Sequence, residues 1–306
     1  MIRDAWGVVD LLRRKPSAAT LAWAAREVGP SARVVTWRRL TGGIASSVHQ
    51  LCVVDAKSGT HRLVLKRWLG EDRAGALAEF ERETTALVAL ERTDVPAPRV
   101  VASSPEAADG SPAVLMTRVR GHVDLVPREP GRWLGQMAAT LARIHAVQVE
   151  VPATPPWRAE RQSAVPVWST RPQLWEAAGR ILEGPAPSEL CFIHGDYQHF
   201  NLLWARGRLT GVVDWAWAGL GHPARDVGHC RLNLAVLYSA DLAHQFAAAY
   251  EAVAGRKVEP WWDLHEIFHY SDDWPRFIPI QVAHRAPVDI EGMNQRVEQL
   301  LADSLA

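Results

Sequence analysis

The sequence is poor in cysteine, in lysine and in net charge, and each shortage excludes something. Its three cysteines, Cys52, Cys191 and Cys230, lie far apart with no CxxC pair. Such a set builds neither a disulfide frame nor a zinc site and suits reduced thiols. The 34 basic and 34 acidic residues give a formal net charge of +0, so the basic excess that tight non-specific nucleic-acid binding needs is missing. No uncharged apolar stretch is long enough to span a bilayer. The opening MIRDAWGVVDLLRRKPS is broken by charges in a way that a signal peptide is not. These shortages predict a cytoplasmic protein with no nucleic-acid or membrane partner, and they leave its oligomeric state open. Only Lys15, Lys57, Lys66 and Lys257 are lysines, so one inside an apolar strand is worth following.

Among the 306 residues, 48% are apolar and 22% charged, enough for a sizeable core in one large domain or two lobes. The pattern predicts a helix over 17–28, opened by Ser17 and stopped by Gly29-Pro30. Three antiparallel strands are expected next, in RVVTWRRL, SSVHQLCVVDA and HRLVLKRWL. A helix over 77–92 follows, then two strands in VPAPRVVAS and SPAVLMTRVRG. Strands, helix and strands without βαβ alternation argue against a doubly wound sheet. Beyond Gly121 the pattern turns helical: GRWLGQMAATLARIHAV reads as a helix, 151–172 as an irregular Pro-rich insertion, 190–215 as two strands joined around Gly207, and 225 onward as mostly helices. The boundary is expected near residue 120, with an N-terminal lobe over 1–120 and a C-terminal lobe over 121–306.

Chemistry is concentrated in CFIHGDYQHFNLLW. An apolar run delivers His194-Gly195-Asp196, and Asn201 stands five positions after the aspartate, the interval found in the HRDLxxxN loop of protein kinases. Phosphoryl transfer needs a carboxylate to orient and deprotonate a hydroxyl, and an oxygen ligand nearby for a metal bridging the phosphates. In LTGVVDWAW, Asp214 ends another apolar strand after a turn at Ala205-Arg206-Gly207-Arg208. A hairpin of that length brings its two ends together, so Asp196 and Asp214 are expected to face one cleft, with Asp214 and Asn201 as Mg²⁺ ligands. Upstream, Lys66 late in a β-like run would meet the α/β-phosphates, held by a helix glutamate, Glu83 first and Glu79 as fallback. The Thr41-Gly42-Gly43 turn through Ser46 would let backbone amides approach the phosphates.

Taken together, Lys66, Glu83, HGDxxxxN at 194–201 and the aspartate of VVDWAW resemble the aminoglycoside phosphotransferase and choline kinase family. The match runs over roughly residues 35–230. The resemblance implies an α+β, bilobal, protein-kinase-like fold and an ATP- and Mg²⁺-dependent kinase that phosphorylates a hydroxyl of a small molecule. Asp196 would be the catalytic base. It also implies that Val114–Val119 is the hinge, with Met116 in it and the backbones of Thr117 and Val119 bonding adenine, and that Asp226 in GHPARD is a structural buttress. Ala45-Ser46 stands where many relatives carry Ser-Asn, and Trp215-Ala216 where Trp-Glu is common.

Several residues have plainer readings. His194 is expected to shape the loop, and His145 to be a satisfied core histidine. A metal site from His194, His199, His222 and His229 lacks suitable spacing. Trp261, Trp262 and Trp274 could line an acceptor site or simply pack. Residues 241–306 hold eleven acids against five Lys or Arg, a net of −6, which would suit a cationic acceptor such as an aminoglycoside or peptide antibiotic. A metabolic kinase of an amino alcohol or sugar, and a nucleotide-binding pseudokinase, are the alternatives.

Overall fold

The computed structural model describes residues 13–40, 46–154, 165–270, 274–282 and 285–306. The expected turn residues Gly42 and Gly43, much of the Pro-rich insertion, and Asp272 and Asp273 lie outside them. The chain divides into two compact units: residues up to Arg92 with Pro96–Arg120, and Thr93–Val95 with Gly121–Ala306.

The first unit is built on a five-stranded antiparallel sheet. Its helix α1 (Ala18–Arg26) starts at Ser17, whose hydroxyl accepts the Thr20 amide at 3.0 Å. Strands β1 (Arg33–Arg39), β2 (Ser47–Asp55) and β3 (Gly59–Arg67) follow, then α2 (Arg73–Leu90), β4 (Val100–Ser104) and β5 (Ala113–Thr117). The strand order is β1-β2-β3-β5-β4. Helix α2 begins four residues before the expected 77, because Asp72 caps it by accepting the Gly75 amide at 3.0 Å. Alternation sorts the sheet's faces. Leu51, Val53, Leu63, Leu65, Ala113 and Leu115 pack with Trp23 and Ala24 in one buried cluster. The intervening residues, Lys66 among them, point to the other face.

In the second unit, helices enclose two small two-stranded sheets. Helix α3 (Pro130–His145) takes Pro130 at its first turn, and α4 (Pro172–Leu182) likewise takes Pro172. The sequence reading missed α4, although Trp175, Ala178 and Leu182 keep the helical spacing of its buried side. Strand β6 (Cys191–Ile193) leads through a turn of 3₁₀ helix (His199–Asn201) to β7 (Leu202–Ala205) and β8 (Arg208–Val212). The last two form the expected hairpin. Its two-residue turn is Arg206-Gly207, both at positive φ, as a type I′ turn requires. Strand β6 pairs instead with β9 (Gly219–Gly221), which three residues of Gly-Leu-Gly gave no reason to expect.

Helices α5 (Pro223–Leu237), α6 (Ala240–Ala254), α7 (Pro260–His269), α8 (Trp274–Val282) and α9 (Ile290–Leu305) complete the unit. Every residue of α5 except Asn233 is buried. A helix buried all round is ordinarily apolar, yet α5 carries Arg225, Asp226, His229 and Arg231 inward. Each must therefore meet a polar partner. No helix among the described residues is long and apolar enough to cross a membrane.

Candidate active site

The candidate site residues fall into two groups, one in each unit. In the first, Lys66 Nζ donates to Glu83 Oε2 at 2.5 Å, both side chains buried. The Lys66 ammonium also lies 5.0 Å from the centre of the Trp68 ring. Glu79, the fallback partner, accepts the Trp68 indole N–H at 3.1 Å. Ser46 is buried just ahead of β2. Met116 is buried in β5, opposite Val64 and Val100. The Thr117 N–H is already committed, donating to Arg99 O at 2.8 Å, so an adenine at this strand could draw only on the Thr117 carbonyl. Val119 follows, half-buried.

In the second unit, the turn after β6 is shaped by what lies behind it. Gly195 has φ +80, and a Cβ there would sit 2.1 Å from Trp217 O. Only glycine fits on both counts. Asp226 of α5 accepts the His194 N–H on Oδ2 and the Gly195 N–H on Oδ1, each at 2.8 Å. His145 Nε2 donates to the same carboxylate at 3.2 Å, and Tyr250 bonds the other ring nitrogen at 2.7 Å. Burial penalises the Asp226 charge, but the His145 hydrogen bond and the nearby charges outweigh it and hold the carboxyl below its ordinary range. His194 accepts the Asp196 N–H on Nδ1 at 3.2 Å and donates from Nε2 to Val213 O at 3.1 Å. That pattern is a neutral imidazole, and burial lowers its pKa.

The loop then delivers its functional groups. Asn201 Nδ2 donates to Asp196 O and to Asp196 Oδ2, both at 2.9 Å. The amide is thereby oriented with Oδ1 turned from these bonds. The β7–β8 pairing places Leu202 opposite Val212, and the Val213 amide donates to Asn201 O at 3.0 Å. Val213 is thus tied at its N–H to Asn201 and at its carbonyl to His194. Asp214 comes next at φ +69, an unusual backbone state for a non-glycine residue and one concentrated at functional sites. The structure therefore gathers Asp196, Asn201 and Asp214 on one framework of loop and hairpin.

Three donors meet the Asp196 side chain, which is 21% exposed. His229 Nε2 and Gln198 Nε2 reach Oδ1 at 2.8 and 2.7 Å, and Asn201 reaches Oδ2. In the sequence His229 is only one of four histidines poorly spaced for a metal site; its contact with Asp196 appears only in the fold. Its other nitrogen lies 3.0 Å from Glu266 Oε2. Burial pulls the His229 pKa down, but the bonds and charges of Asp196 and Glu266 push it up to about 10. Gly228 makes this possible: a Cβ there would lie 2.8 Å from Trp262 O, so α5 and α7 can approach closely enough for His229 to meet Glu266. Trp261 and Trp262, half-buried at the start of α7, stack against His265 and His222. Trp274 is core, buried and donating to Asn294 Oδ1 at 2.9 Å.

No group of three or more His, Cys, Asp or Glu among the described residues could hold a metal ion. A pairing of one carboxylate and one amide oxygen, Asp214 and Asn201, suits instead a magnesium ion that takes its other ligands from phosphates and water.

A small antiparallel sheet with a buried Lys–Glu pair, and a helical unit holding an Asp/Asn loop beside a strand-ending aspartate, define a phosphotransferase of the kinase type. The chain belongs to the phosphotransferase enzyme family, whose model matches residues 36–262. No curated protein sequence matches it. Solved structures share its fold. A thermostable mutant of aminoglycoside phosphotransferase APH(4)-Ia, in ternary complex with ADP and hygromycin B, is 16% identical, with 94% of this chain and 98% of that chain covered and a TM-score of 0.60. Macrolide 2′-phosphotransferase MphH from Brachybacterium faecium is 18% identical over 94% and 98% of the two chains, with a TM-score of 0.57. Aminoglycoside-3′-phosphotransferase of type VIII is 21% identical over 82% and 98%, with a TM-score of 0.53.

Proposed function

We propose that this enzyme moves the γ-phosphate of ATP, with Mg²⁺, to a hydroxyl of a small amine-bearing molecule of the aminoglycoside class, and that it works in the cytoplasm. The observation that carries this reading is the Asp226-anchored loop, which presents Asp196 and Asn201 on the same framework as Asp214. Lys66, fixed by Glu83, binds the α/β-phosphates as a point charge. Ser46, with Gly42 and Gly43, contributes to phosphate binding, and Met116, the Thr117 carbonyl and Val119 to adenine. Asn201 Oδ1 and Asp214 would hold the magnesium ion, which supplies charge compensation on the phosphate oxygens. Asp196 receives the acceptor hydroxyl, orients it and takes its proton. The protein's share of the catalysis is position and charge.

The net −6 of residues 241–306 and the aminoglycoside-binding relative support a cationic acceptor. One observation favours a second reading, a metabolic kinase whose acceptor is an uncharged sugar. Many acids of that segment are spent internally: Asp263 on Arg231, Glu266 on His229, Glu298 on Ser169 and Thr170, Asp289 on Arg296, and Asp303 on His244. A coupled ADP-release assay across aminoglycosides, peptide antibiotics, macrolides, amino alcohols and sugars separates the readings. The Asp196→Ala variant should lose turnover by about 10²–10⁴-fold while nucleotide binding survives. Near-normal turnover in that variant ends the proposal, and nucleotide binding without turnover in the wild type leaves only a pseudokinase.

A further inference from the structure

The Asp196 carboxylate is not symmetrically engaged. Each carboxylate oxygen accepts about two hydrogen bonds. Oδ1 has two donors, His229 Nε2 at 2.8 Å and Gln198 Nε2 at 2.7 Å. Oδ2 has one, Asn201 Nδ2 at 2.9 Å. His229 is held from behind by Glu266 Oε2 at 3.0 Å. Glu266 is itself fixed, with His265 Nδ1 3.2 Å and Arg225 Nε 3.8 Å from its Oε1. Also near the imidazole, among the described residues, are the Tyr270 ring at 5.1 Å, the Asn233 amide nitrogen, 3.3 Å from Nε2, and the His199 and His269 rings, close enough to interact with it electrostatically.

We infer that His229 is a positioning residue: held by Glu266, it occupies Oδ1 of Asp196 and leaves Oδ2 as the atom that receives the acceptor hydroxyl. The inference rests on the kinase reading above. His229 cannot itself be the base, because both of its ring nitrogens face carboxylate oxygens, which only accept. As the acceptor oxygen bonds to the γ-phosphorus and the bond to the departing ADP oxygen breaks, the hydroxyl proton passes to Oδ2. Oδ1 stays hydrogen-bonded throughout, so the carboxylate plane does not rotate away from the acceptor. The catalytic aspartate is thus steered from α7, two helices away in sequence from the loop that carries it.

Two substitutions split the role from simple packing. His229→Gln places an amide N–H near the former Nε2 and keeps a donor for Asp196. His229→Asn places its amide near the former Nδ1, keeping the Glu266 contact and losing the Asp196 contact. ADP release is measured with the best acceptor of the panel, or with water as acceptor where none exceeds hydrolysis. His229→Gln should stay within about tenfold of wild type, and His229→Asn should fall about 10²-fold or more in kcat with KM for ATP within threefold. Equal turnover in the two variants, at any level, overturns the inference. Ring ¹⁵N signals of His229 give a readout independent of turnover: Asp196→Asn should move Nε2, and Glu266→Gln should move Nδ1. Unmoved signals also overturn it. A wild-type protein that releases no ADP under any condition ends the kinase reading and the role with it, while the ring signals still report whether the three side chains meet.

Discussion

Asp226 Oδ1 accepts the backbone N–H of Gly195 at 2.8 Å across 31 positions of sequence. With its other oxygen on the His194 N–H, one buried side chain sets the path of the loop that carries Asp196. Asp226→Asn is nearly isosteric but turns an N–H toward one of the two amides, leaving a buried donor without its acceptor. Stability should fall by about 1–3 kcal/mol, measured by urea denaturation. Turnover should fall further than the unfolded fraction explains, because Asp196 is displaced.

Glu83 faces Lys66 across 17 positions in a buried pair. Glu83→Ala removes the carboxylate of this buried ion pair, which costs on the order of 3–5 kcal/mol. Glu83→Gln is the gentler test. It should raise KM for ATP and lower kcat together, by about 10²-fold in kcat/KM, with the acceptor's KM little changed. Initial-rate kinetics with each substrate varied in turn checks this. Lys66→Arg should not rescue the site, since a planar fork does not replace a point charge in a space fitted to lysine.

Gly228 is where α5 and α7 touch backbone to backbone. Gly228→Ala should push the Trp262–Asp263 turn away, lengthen the His229–Glu266 contact, and lower stability by about 1–3 kcal/mol. The effect on kcat should exceed that of Gly131→Ala, a helical glycine whose added Cβ meets nothing within 4 Å.

The His229 cluster predicts a pH profile of stability. The folded His229 pKa, near 10, lies above its ordinary 6.5. Its contribution is therefore complete below pH 6.5 and is lost as pH rises through about 10. Burial would raise the Glu266 carboxyl, but the His229 and His265 hydrogen bonds dominate and depress it from 4.5. Its contribution is present above that value and is lost as pH falls through the depressed one. Urea midpoints measured from pH 5 to 10 should decline on the alkaline side, and His229→Gln should flatten that decline. A profile that is unchanged in the variant contradicts the charge assignment.

Much of this architecture was legible in advance. Alternating apolar residues placed β2 and β3, and the Arg206-Gly207 turn placed the hairpin that ties Asn201 to Val213. Lys66 stood out because lysine is rare in the chain, and of the two candidate glutamates the structure pairs Glu83 with it. Which backbone group of Thr117 is left for a ligand was not legible, because pairing with Arg99 engages its N–H. Strand β9 and helix α4 were missed. Gly-Leu-Gly carries no strand propensity, and Pro172 closes a Pro-rich run in the sequence while opening a helix in the fold.

By itself, the order of residues determined most of the elements and the motif, since local periodicity, caps and turn residues act over a few positions. Only the tertiary structure decided that Asp226 faces the Gly195 amide, that Gly228 lets Trp262 come close, and that Glu266 stands behind His229. Those are contacts between segments distant in sequence. Their energies depend on burial and on which donor finds which acceptor, quantities that exist only once the chain has packed.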